Sequence, residues 1–181
     1  MKLTNYLIAL LLSAMAHTCS AQCIAALNAN DDLVALNGFW RTNIPICQLP
    51  QGKNNAYADR QHGIVWADQN WLDQIATRFG RWAATGILAH EWGHMLQGNF
   101  SGTAAELQAD CLAGVFMRGV GLPWQTVEQF AASNFFAGDL MMSFTGHGTG
   151  IQRVNAARRG YVGFQGQSGP ALGALCPLSA F

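Results

Sequence analysis

His90, Glu91 and His94 stand in the run His90-Glu91-Trp92-Gly93-His94, a spacing with a definite chemical use. Four residues apart on a helix, the two imidazoles project from one face about one turn apart, near enough to share one tetrahedral zinc ion. Neutral imidazole is a good zinc ligand, and Glu91, beside the first histidine, can face water at the metal as general base. The plainer alternative makes His90 and His94 core histidines and Glu91 a surface charge.

A catalytic zinc takes three protein ligands and leaves its fourth position open, so a further carboxylate or imidazole must come from elsewhere. Glu106, in Glu106-Leu107-Gln108-Ala109-Asp110, is the best candidate, twelve residues after His94. Its competing job is local, because Thr103-Ala104-Ala105-Glu106 has the form of a capping box that would use the glutamate to close a helix start. Asp110, one turn on, could accept the outer N–H of a ligand histidine and fix its tautomer. His62 and His147 compete as ligands. His62 falls in an expected hairpin turn. His147, in the Gly-rich run Thr145-Gly146-His147-Gly148-Thr149, suits support of the site or stabilisation of an oxyanion, against a simple structural turn. Arg153 could bind substrate or pair with Asp110 or Asp139, and for a lone arginine the ion pair is the stronger expectation.

Helices must carry these groups. Beyond Asn70, Leu72, Ile75, Phe79, Trp82, Gly86 and Ile87 recur at three- and four-residue steps, which predicts one long helix to about Gln97, ended by Gly98. Further helices are expected over residues 103–118, 123–138 and 149–159. Tyr57, Ile64, Val65 and Trp66 predict a strand or hairpin over residues 56–68, turning at Asp59-Arg60-Gln61-His62-Gly63. Residues 22–56 read as an irregular leader with at most a short helix near Asp32 to Leu36, and residues 162–181 as a Gly-rich tail without period. The sequence shows no internal repeat.

The 181 residues suit one domain. With 50% apolar and only 11% charged residues the composition is not that of a disordered chain, and a formal net charge of zero lacks the basic footprint of a nucleic-acid binder. The 13 Gln, 11 Asn and 20 Gly leave much of the polar surface to amides and backbone. Residues 1–21 read as a secretory signal, with Lys2, an apolar run from Tyr6 to Met15 and the small residues Cys19-Ser20-Ala21. That run is too short to span a bilayer, and the apolar stretch over residues 130–144 is interrupted by Asn134, Gly138 and Asp139, as in a buried helix. An exported chain, periplasmic or secreted, is expected. Cys23, Cys47, Cys111 and Cys176 then allow three disulfide pairings, with Cys23 to Cys47 and Cys111 to Cys176 one of them, or a buried thiol at Cys111.

Three blocks in order carry a resemblance: His90-Glu91-Trp92-Gly93-His94, then Glu106 through Val115, then His147-Gly148-Thr149 with Gln152-Arg153 and Arg158-Arg159-Gly160-Tyr161. Over residues 57–161 the chain resembles the bacterial neutral zinc metallopeptidases, which are gluzincin-like. The resemblance implies an α+β, mainly helical zincin-like domain with an active-site helix, a following ligand helix and a small sheet or hairpin. It places zinc on His90, His94 and Glu106 and lowers the weight of the capping-box alternative. It also implies a strand beside the active-site helix, here around Ile64 to Trp66, to which an extended peptide adds. The family pattern has Phe-Thr-His-Gly-Thr where this chain carries an extra glycine, Gly146, before His147. The expected activity is hydrolysis of a peptide or protein substrate, with Glu91 as general base and His147 assisting. The alternatives are a zinc-stabilised binding protein without catalysis, and cleavage of cell-wall amide bonds.

Overall fold

The computed structural model describes residue 23 and residues 29–138, 146–168 and 170–181. The expected signal over residues 1–21, and residues 139–145 with Asp139, lie outside them. The described elements are α1 (Asn30–Trp40), β1 (Ile46–Gln48), β2 (Ala56–Asp59), β3 (Ile64–Ala67), α2 (Gln69–Phe79), α3 (Arg81–Gln97), α4 (Thr103–Gly119), α5 (Trp124–Ala137), α6 (Gly150–Gly163) and α7 (Pro170–Leu175). The architecture is mainly helical with one small sheet, as expected. None of the described helices is long and apolar enough to cross a membrane.

The expected single helix over residues 70–97 is two, broken at Gly80. Gly80 takes φ 103°, a conformation glycine adopts without a steric penalty, and a Cβ there would overlap the Gln129 side chain. The Gln129 amide oxygen accepts the Trp82 N–H at 3.0 Å, so α5 supplies the start of α3 with a hydrogen-bond partner. Phe79 and Trp82 flank the break three residues apart, which is why the apolar period conceals it. Asp68 starts α2, accepting the N–H groups of Asn70 at 3.2 Å and Asn54 at 3.1 Å.

The short helix expected near Asp32 to Leu36 forms and is longer, as α1, and the segment otherwise expected to be irregular also holds β1. Asp31 and Asp32 complement the positive end of α1, and buried Asp32 accepts Thr85 Oγ1 at 2.8 Å, tying α1 to α3. In the sheet, β3 is central, parallel to β1 and antiparallel to β2, so the hairpin forms as expected. A three-residue strand paired with a distant segment leaves no local period, and β1 escaped prediction for that reason.

Trp92, Leu88, Phe116, Phe130, Leu72 and Val65 fill the core, where α3 lies against α2, α4, α5 and β2. Helices α4 and α6 touch backbone to backbone, since a Cβ on Gly160 would overlap the Cys111 carbonyl oxygen and one on Gly114 that of Ala157. The tail is less irregular than expected. It forms α7 and a 3₁₀ turn at Leu178–Ala180, and the Cys111–Cys176 disulfide staples it to α4. Cys23 pairs with Cys47, so Cys111 is not a free thiol.

Candidate metal centre

Gly93 sets the distance between the two helices that build the site: a Cβ there would lie 2.8 Å from Ala109 Cα, so only glycine lets α3 and α4 come this close. Their meeting faces bring together the Nε2 atoms of His90 and His94, 3.0 Å apart, and the Glu106 carboxylate, whose oxygens lie 3.4 Å from each. One ligand atom from each of the three residues falls within 4.8 Å of the others, a group that could hold a metal ion.

The outer ring nitrogens decide which way the inner ones face. Asp110 Oδ1 accepts His90 Nδ1–H at 2.8 Å. Gln97 donates its amide nitrogen to the Ala105 carbonyl at 2.6 Å, so its oxygen is left to accept His94 Nδ1–H at 2.9 Å. With both Nδ1 atoms donating, both Nε2 atoms turn their lone pairs on the same point as the Glu106 carboxylate. Three acceptors converging without a donor repel one another unless a cation or a proton sits among them. Burial opposes an imidazolium at His90, but Asp110, Glu106 and Glu91 outweigh it, and in the metal-free chain its pKa is pushed up to about 10. Burial also opposes charge on Glu106, yet the neighbouring His90 and His94 imidazoles hold its carboxyl well below the usual range. The donor set, two imidazoles and a carboxylate, suits zinc.

Glu106 does not cap its helix. The cap of α4 is Gly102, without a side-chain cap, and Thr103 Oγ1 donates to the Gly146 carbonyl at 2.8 Å. Buried Asp110 is held from three sides, by the two Arg153 contacts at 2.8 and 2.9 Å and by Asn134 Nδ2 at 2.8 Å, besides His90. Burial would raise its pKa, but the Arg153 and His90 charges keep it low. Arg153 makes the expected ion pair.

Glu91 is buried, and burial pushes its carboxyl up against the opposing charges of His90 and His94, while the Ala58 N–H donates to it. It faces a cavity of ≈ 480 Å³ that also reaches His147, Arg153 and Asn134. His147 is exposed at that cavity and is not among the three residues that could hold the ion. His62 lies apart, exposed at the hairpin tip with Nδ1 2.8 Å from Asp59.

The strand beside α3 is β2, not the expected segment around Ile64 to Trp66. β3 has strands on both sides, so its backbone is spent, while β2 is the edge that packs on α3. Asn55 accepts the Asp68 N–H, and the Ala58 N–H turns to Glu91, so alternate peptide groups of β2 face the cleft. Arg60, at the tip of the hairpin, donates to the carbonyls of Gly98 and, at 2.8 Å, Phe100, holding the α3 to α4 loop.

Gln97 and Asn134 were missed from sequence. The signal for Gln97 was available: it lies three residues after His94, on the same helix face. Asn134 carries no such mark, since its partner is 24 residues away. No protein-family model matches this chain, and neither a curated protein nor a solved structure matches it.

Proposed function

We propose that the protein is an exported zinc-dependent metallopeptidase with a zincin-like active site. The observation that carries this is the convergence of His90 Nε2, His94 Nε2 and the Glu106 carboxylate, with Glu91 beside them at the same cavity. Two disulfides suit an oxidising compartment and so favour export.

Zinc held by these three residues would supply Lewis acidity toward a scissile carbonyl and make water more acidic. The chain supplies the rest. Glu91, its basicity raised by burial, takes the proton of the attacking water and returns it to the leaving amine nitrogen. The cleft-facing peptide groups of Ala56 and the Ala58 carbonyl receive an extended substrate as a further strand, the Ala58 N–H being engaged by Glu91. Ile87, Phe130, Ile75 and Trp71 give the cavity an apolar side that suits an apolar side chain of that substrate. His147, which lines the same cavity, would donate to the oxyanion.

Hydrolysis of a peptide library by the purified protein, stopped by a chelator and restored by zinc, tests the reading, with Glu91→Gln as the control. That variant should keep its metal and lose hydrolysis. Cleavage equal to the parent's would reject the role of Glu91, and metal binding without any hydrolysis would favour a zinc-stabilised binding protein.

A further inference from the structure

The two faces of α6 differ in kind. Arg153, Ala156, Ala157, Gly160 and Tyr161 are buried toward the cleft and α4. On the opposite side Ile151, Asn155, Arg158 and Val162, at steps of four, three and four, form one exposed stripe. Ile151 is 65% and Val162 64% exposed, high for aliphatic side chains on a single stripe. Beside it a second, shallow cavity of ≈ 440 Å³ lies between α6 and α7, lined by Arg158, Arg159 and Leu175 among others. The Leu175 carbonyl accepts Arg159 Nε–H at 2.8 Å, fixing that arginine in the wall of the groove. Among the described residues no carboxylate pairs with Arg158 or Arg159, and residues 140–181 contain neither Asp nor Glu.

We propose that this stripe and groove dock the protein on an anionic phospholipid surface. Lipid phosphates meet the two arginines, whose planar donor forks match a phosphate, and the Ile151 and Val162 side chains enter the boundary of the acyl region. Charge complementarity singles out this occupant: the face carries one sign of charge and interleaves it with apolar side chains, which a purely polar anion would not use. Since Arg153 faces the cleft and Arg158 the other way, docking leaves the cavity at Glu91 open. The inference stands independently of any peptidase activity.

Sedimentation with vesicles of phosphatidylcholine, with and without about one third phosphatidylglycerol, tests it. The parent protein should bind the anionic vesicles, more weakly as salt rises, and Arg158→Glu with Arg159→Glu should weaken binding about tenfold or more. Ile151→Ser with Val162→Ser should weaken it too. Comparing parent with variant cancels any contribution of the apolar N-terminal run, and unchanged metal content and melting show that the variants fold. Equal binding to both vesicle types, binding unaffected by either double variant, or self-association through this face without vesicles would each overturn the proposal. Should the charge-reversed protein fail to fold, the Ile151 and Val162 variant decides alone.

Discussion

Gln97 presents only its oxygen to His94, because the Ala105 carbonyl takes its amide nitrogen. One side chain thereby fixes the tautomer of the candidate ligand His94 on α3 and bonds to the backbone at the start of α4, which also carries Glu106. Gln97→Leu should lower zinc affinity about 10- to 100-fold while the chain still folds. Competition with a chelating dye measures this, and an affinity equal to the parent's would remove Gln97 from the site.

Asp110 and Arg153 form a buried pair in which each satisfies the other. Asp110→Ala strands the guanidinium and should cost about 3–5 kcal/mol in denaturant unfolding. Arg153→Met should cost a similar amount, and the double variant less than the sum. Additive losses would mean that the two charges are not coupled.

Two glycines in helices should respond in opposite directions. Gly160→Ala drives a methyl into the Cys111 carbonyl oxygen and should destabilise by about 1–3 kcal/mol. Gly38→Ala, with open space around it in α1, should stabilise by about 0.5–1 kcal/mol. Melting temperatures moving the same way in both would contradict the packing described.

Acid stability should depend on Asp68. Burial would raise its pKa, but the N–H groups of Asn54, Trp71, Gly52 and Asn70 hold it below the ordinary 3.8. A carboxyl lowered in the folded state contributes stability that is present above the unfolded value and lost as pH falls through the folded one. The parent should therefore lose stability on acidification below about pH 4, and Asp68→Asn should flatten that decline. Identical profiles for the two proteins would count against it.

The sequence exposed the site better than the frame around it. His90, Glu91 and His94 share one helical turn, Glu106 and Asp110 follow from what a zinc held by two histidines would need, and the Arg153 ion pair follows from the cost of burying a lone arginine. The break at Gly80 left no trace in the apolar period, because one residue of unusual φ does not shift the spacing from Phe79 to Trp82. β1 depends on a partner 19 residues away in register, Ile46 against Val65, which no local pattern records. For the same reason the strand expected beside α3, around Ile64 to Trp66, is interior instead: β1 pairs with the far side of β3, which leaves β2 as the edge toward α3.

The central claim, that α3 and α4 together grip one divalent ion, is tested most directly by the metal content of the purified protein beside His90→Ala and Glu106→Ala. About one zinc per chain in the parent, falling sharply in both variants, is the predicted result. A parent protein that carries no metal and takes up none when zinc is offered would contradict it.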